Sequence, residues 1–460
     1  MTRIAAVWGS DKGGTQSRDA NFFLKQHAGS STEGRIEVDF LNLEPLLTAL
    51  DRDLAYITDI LFECEMLQRV HRVKLDEWIR FPVERSGAWN RLEVKRTIRD
   101  ILSFMIKDRP DIRFVPVRRR LRPSGDENLP QSLRSMTLFS GGVDSLSGIL
   151  SVQAARGPTA GVFICHTGLG NKVGLIAKSL LAEHDIQVYR VDTQRQIRVL
   201  QQLRGFLYLT LGAIVARVLG TGNVFVTESG PTMYQPSLVP TDEVTLTTHP
   251  TLVKLSKQLL RETYGMEFSF HEPFENLTKA EVISLCPSKR LMPITNSCIS
   301  TAYAYSDFPH CGVCYGCLIR KLSFLVAGVP DSSYAADVLN REIGEKKSGR
   351  GTRRYISQSD LSGLLALLRF GRDIIEDRLP DFTADKIREF DKEELFRRFA
   401  LDILSGLFIL YGQKKVGRNS YVRKFYGACK HDGVISKETA VDRICEVREA
   451  RYKPNFDYRL

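Results

Sequence analysis

The sequence predicts an α/β protein: a doubly wound parallel sheet in mid-chain, preceded by an α+β region and followed by a helical one. Three observations predict it. Short apolar runs at 136–139, 161–165, 187–191 and 223–227 alternate with helical stretches at 145–155, 173–184 and 201–219. Strands separated by helices form right-handed crossovers, which build a parallel sheet covered on both faces. A glycine pair marks the first strand-to-helix junction, in Ser140-Gly141-Gly142-Val143-Asp144-Ser145. Four cysteines crowd into residues 298–317, near the end of the alternating region.

The flanking regions read differently. The turn-rich stretch Pro123-Ser124-Gly125-Asp126-Glu127-Asn128 separates an accessory α+β domain (1–133) from the alternating domain (134–330). The first domain carries a strand-like run at 4–8, a helix at 51–70 and an alternating segment at 112–117. Its Gly9-Ser10-Asp11-Lys12-Gly13-Gly14-Thr15 imitates a phosphate loop but lacks the Gly-Lys-Ser/Thr ending, so it reads as an ordinary turn. Residues 331–460 read as helical, with a core helix at 399–411 and no catalytic signature.

Composition narrows the classes. Apolar residues are 43% and charged residues 26%, which excludes disorder and fibres. The start lacks a signal-peptide pattern, and the most apolar stretch, 206–219, is interrupted by Arg217. The expectation is a cytoplasmic protein without a membrane partner. Nine cysteines without a secretory signal argue against a disulfide framework. The formal charge of +11 suits an enzyme that gathers ATP and other anions. It also keeps nucleic acid open as a partner, behind a small-molecule substrate. The basic runs at 118–122, 350–354 and 414–424 read as solvated faces.

The glycine-rich junction carries the chemistry. Gly141 and Gly142 permit positive φ and remove the β-carbons that would block a close ligand. Consecutive N–H groups there form an anion nest, to which the following helix adds its positive end. Ser140 and Ser145 offer hydroxyl donors to phosphate oxygens. Asp144 would be repelled by phosphate unless a cation stood between them, which assigns it to Mg²⁺. Cys298, Cys311, Cys314 and Cys317, spaced C-x12-C-x2-C-x2-C, can close tetrahedrally on Zn²⁺. An iron–sulfur cluster is the rival, and adjacent His310 reads as a bystander.

The string at 140–145 resembles the PP-loop signature of the ATP pyrophosphatases, whose fold is adenine nucleotide alpha hydrolase-like. The resemblance implies that ATP is cleaved between its α and β phosphates and that a substrate oxygen is activated as an adenylate. The loop followed by the four cysteines resembles the 7-cyano-7-deazaguanine synthases, the QueC family, over roughly residues 136–325. By that resemblance Ser140, Gly141, Gly142, Val143, Asp144 and Ser145 bind ATP, the four cysteines hold zinc, and Lys279, in Thr278-Lys279-Ala280-Glu281, meets phosphate or adenylate. Locally, Thr278 and Glu281 also make a capping box.

The chain departs from the housekeeping enzyme. It adds front and tail regions, and it reads Cys165-His166-Thr167-Gly168-Leu169-Gly170 where the family has a Tyr-Gly-Gln-Arg-His-like stretch. With Thr227-Glu228-Ser229-Gly230-Pro231-Thr232 and the front pattern Asp51-Arg52-Asp53-Leu54, Phe81-Pro82-Val83 and Trp89, it is similar to the QatC-type components of bacterial antiphage defence systems. That similarity implies a 7-deazaguanine-type carboxylate as substrate. The attacking amine would be the N-terminus of a partner protein encoded in the same operon.

Glu228, ending a central strand, could accept the N1–H and exocyclic N–H of a guanine-like ring. Arg204 could bind the substrate carboxylate or a phosphate. His249 reads as a satisfied loop histidine, with proton transfer as the alternative. The competing functions are nitrile formation with ammonia, a tRNA-modifying thiolase or lysine-adding ligase, and a scaffold with a regulatory nucleotide site. A thiolase would want a catalytic cysteine pair; Cys165 and Cys286 are available but lack a motif.

Overall fold

The computed structural model describes residues 7–8, 38–40, 43, 46–71, 78–107, 109–116, 133–166, 170–193, 202–234, 247–298, 309–340, 358–379, 381–413, 416–417 and 420–456. The turn at 9–15, the boundary stretch at 123–128 and the basic runs at 118–122 and 350–354 lie outside them.

The chain is α/β, with five parallel strands at its centre. In chain order the strands are β1 (Val7–Trp8), β2 (Val38–Asp39), β3 (Trp78–Val83), β4 (Asp111–Pro116), β5 (Ser135–Leu138), β6 (Thr159–His166), β7 (Val188–Thr193), β8 (Asn223–Phe225) and β9 (Ser269–His271). The parallel sheet has the order β7-β6-β5-β8-β9, and β2 joins its β7 edge antiparallel. A separate small sheet has the order β1-β3-β4. The expected strands at 136–139, 161–165, 187–191 and 223–227 correspond to β5 to β8. β9 adds a fifth parallel strand that was not anticipated.

Helices α1 (Ala49–His71), α2 (Ser86–Trp89) and α3 (Leu92–Ile106) belong to the front region. The sheet is accompanied by α4 (Val143–Arg156), α5 (Gly170–His184), α6 (Arg204–Val218), α7 (Gly230–Met233), α8 (Pro250–Tyr264), α9 (Lys279–Leu285) and α10 (Tyr315–Ala327). The tail comprises α11 (Gln358–Ile375), α12 (Asp381–Glu389), α13 (Glu393–Gly412), α14 (Tyr421–His431) and α15 (Lys437–Arg448).

Alternation along β6 explains the two-faced burial. Ala160, Val162 and Ile164 face a core that includes α6, α8, α1 and α3. Phe163 and Cys165 face the core built by α4 and α5. The first of these cores runs without a break from Phe40 through Phe114 to the sheet. The front motif is part of that packing. Asp53 accepts the N–H groups of Glu84 and Arg85 at 2.8 Å and the indole N–H of Trp89 at 3.2 Å. Asp51, also buried, pairs with Arg217 of α6 and accepts the Tyr264 hydroxyl at 2.8 Å.

From central β5 the chain winds outward through β6 and β7, then returns to β8 on the opposite side. The reversal opens a crevice beyond the carboxyl ends of β5 and β8, the place where such sheets bind ligands. The loops at 139–142 and 226–229 lie there. No helix among the described residues is long and apolar enough to cross a membrane.

Candidate functional site

The loop between β5 and α4 is shaped by Gly141, whose φ of +73° disfavours any side chain. An added β-carbon would also come within 2.8 Å of Val173 Cγ2. The Gly142 N–H donates to Ser140 Oγ at 3.3 Å. Ser140 Oγ donates to Ser145 Oγ at 3.2 Å, and Ser145 Oγ to the Gly142 carbonyl at 3.1 Å. From outside the loop, the Asn296 N–H holds the Gly141 carbonyl at 2.9 Å. Val143, Asp144 and Ser145 are the first three residues of α4. Their N–H groups therefore have no partner within the helix.

Asp144 joins three elements. Its side chain turns from the loop toward the start of α7, where Oδ2 accepts the Ser229 N–H at 3.1 Å and hydroxyl at 3.0 Å. Lys279 Nζ reaches its two oxygens at 2.8 and 2.7 Å. Both partners are largely buried, at 4% exposure for Asp144 and 15% for Lys279. Lys279 is delivered by local chemistry. Thr278 caps α9 with its hydroxyl, and Glu281 Oε2 reaches back to the Thr278 N–H at 2.9 Å. The capping box read in the sequence thus makes Lys279 the first residue of the helix.

Glu228 lies within electrostatic reach of Asp144, Lys279 and Arg204. Burial, and then the neighbouring Asp144 carboxylate, push the Glu228 carboxyl up to about 7, partly offset by Lys279 and Arg204. Arg204 is the first residue of α6, and its Nε is buried with no hydrogen-bond partner among the described residues. Burial pushes the hydroxyl of Tyr208, one turn further along α6, up, with nearby Arg204 acting against it. The structure therefore brings Asp144, Lys279, Glu228 and Arg204 together from four separate segments. His249 takes the blander role: its Nδ1 accepts the Thr251 N–H at 3.2 Å, capping α8, and its ring packs against Phe104 and Phe390. Cys165 and Cys286 are buried, and burial pushes both thiols up, the opposite of an activated nucleophile.

The four clustered cysteines converge. Their sulfurs all lie within 4.8 Å of one another, with Cys311 to Cys317 at 3.9 Å and Cys314 to Cys298 at 4.0 Å. Zinc–sulfur bonds of about 2.3 Å separate tetrahedral sulfurs by about 3.8 Å, so the donor set fits a closed four-thiolate site. The cluster could hold a metal ion such as zinc. Gly312, at φ +81°, makes the turn, and a β-carbon there would strike the Ala336 carbonyl. Cys314 immediately precedes α10, without a side-chain capping bond, and Cys317 lies in its first turn. His310 stays outside the cluster: Nε2 accepts the Ser297 N–H at 3.3 Å, and Nδ1 pairs with the Ser332 hydroxyl at 2.8 Å.

Sequence reasoning missed Ser229, Tyr208 and Asn296. Ser229 follows Glu228 at a strand end, which is a usable signal; the other two carry none. Compared with known proteins, the chain matches no family model and no curated protein.

Proposed function

We propose that the chain is an ATP-dependent C–N ligase of the PP-loop class that forms AMP and pyrophosphate. It would adenylate the carboxylate of a 7-deazaguanine-type acid and pass the acyl group to an amine. The acceptor suggested by the resemblance is the N-terminus of a partner protein in antiphage defence. The observation that carries the reading is the meeting of Asp144, Lys279, Glu228 and Arg204 beside an open glycine loop, where β5 and β8 diverge.

Each group has work to do at that place. The loop's N–H groups and the end of α4 favour the β and γ phosphates. The Lys279 ammonium would stabilise the charge that builds on ATP as pyrophosphate leaves. Asp144 is the hard oxygen donor that Mg²⁺ takes; an ion held by it would neutralise phosphate charge where the Lys279 ammonium now balances Asp144. Arg204, whose buried Nε has no partner among the described residues, suits the acid's carboxylate. Burial raises the Glu228 carboxyl to about 7, and its ionised form is the one a guanine-like edge would pair with. A thiolation route finds no activated thiol in Cys165 or Cys286.

The expected result with ATP, Mg²⁺ and 7-carboxy-7-deazaguanine is release of AMP and pyrophosphate, and none when the acid is withheld. Formation of ADP and phosphate, measured by phosphorus NMR, overturns the proposal.

A further inference from the structure

Lys279 and Arg204 share an architectural feature. Each is the first residue of a helix, and in each case the helix start is held by buried charge from a region outside the sheet. For α9, the capping carboxylate of Glu281 is itself clamped by the tail. Arg443 of α15 donates to Glu281 Oε1 at 2.6 Å, and Arg398 of α13 reaches both carboxylate oxygens at 2.6 Å. Arg443 also donates to Asp402 at 2.7 Å and stands 3.4 Å from the Thr278 hydroxyl. Arg443 and Glu281 are each 1% exposed. For α6, Glu65 of α1, fully buried, accepts the N–H groups of Gln202 at 2.5 Å and Leu203 at 2.7 Å.

Buried ion clusters of this kind are poor sources of stability, because desolvation offsets their attraction; their best-attested use is fixing register. The register fixed here is that of the two cations flanking Asp144 and Glu228. Helix α13 adds a second contact with the crevice. Its Leu395 packs so closely on Gly230, at the start of α7, that a β-carbon there would lie 2.5 Å from Leu395 Cδ2.

We infer that Arg443 and Arg398 in the tail and Glu65 in the front region are positioning residues, which set Lys279 and Arg204 against the reacting groups. The accessory regions thereby complete the site. This rests on the ligase reading for its kinetic consequence but not for its structural one, so the test has two arms.

The first arm labels surface amines of the full chain with a succinimidyl ester and follows each lysine by mass spectrometry. In Arg398→Ala and Arg443→Lys, both chosen to keep the chain folded, Lys279 should label about tenfold faster as its pairing with Asp144 loosens, while Lys178 is unchanged. In Glu65→Gln, amide exchange at 202–206 should accelerate to a similar extent. The second arm measures acid-dependent pyrophosphate release. The tail variants should lose about 10- to 100-fold in kcat with little change in KM for ATP, because misplacement acts on the transition state. Arg451→Ala, which removes only a surface pair with Glu449, is the control. Folded tail variants with unchanged Lys279 labelling overturn the inference, as does a fall in melting temperature with labelling and kcat intact. If the parent releases no pyrophosphate, the ligase reading fails while the labelling arm still decides this one.

Discussion

Asp144→Asn is expected to reduce acid-dependent pyrophosphate release by about 10²- to 10³-fold, the scale for removing one preorganised electrostatic group from a reaction centre. Asparagine keeps an oxygen for the Ser229 N–H but removes the charge that holds Lys279 at 2.7 Å. The lysine thereby loses its paired carboxylate while its side chain keeps only 15% exposure. Breaking such a pair from one side costs up to about 3–5 kcal/mol. The double variant Asp144→Asn with Lys279→Met should therefore recover much of the lost stability in a denaturant titration. It should recover none of the activity, since both charges are then gone from the crevice. Activity restored alongside stability would mean that the pair serves only the fold.

Cys314→Ser should abolish metal binding by the cysteine cluster and loosen the centre of the tail. Four-thiolate zinc sites contribute folding energy directly, with apparent binding free energies of about 10–16 kcal/mol in small zinc domains. Here Cys298, Cys311 and Cys317 are embedded in the apolar cluster that includes Leu364, Phe396, Leu404 and Tyr426. Cys314 also stands at the N-terminal boundary of α10, whose Arg320 ties back to the Thr295 hydroxyl at 2.7 Å and to Asp331 at 2.8 Å. Loss of a metal should thus unsettle both the tail core and the 292–297 segment, whose Asn296 N–H holds the Gly141 carbonyl of the glycine loop. Elemental analysis should find about one zinc per parent chain and little in the variant, with a lower melting temperature that chelation reproduces in the parent. Iron in place of zinc, or a metal-free parent of equal stability, would contradict this.

Local patterns were legible in the sequence, and long-range meetings were not. The strand–glycine–helix string located the loop, the Thr278–Glu281 spacing located the start of α9, and the cysteine spacing located a cluster that does converge. Each is a feature encoded within a few residues. β9 escaped notice because Ser269–His271 is too short to show an alternation. The pairing of Lys279 with Asp144, 135 positions apart, leaves no trace in either neighbourhood. Glu65 and Arg443 were passed over for the same reason. A lone charged residue in a helix reads as solvated, and only the packed fold reveals that these two are buried against helix starts.

The central claim is that the backbone at 140–145 grips the departing pyrophosphate. Crystals of the chain with a non-hydrolysable ATP analogue and Mg²⁺ test it most directly. The β and γ phosphates are expected within hydrogen-bonding distance of the N–H groups at 141–145, with Lys279 turned toward the α phosphate. A triphosphate bound anywhere else on the molecule would contradict it.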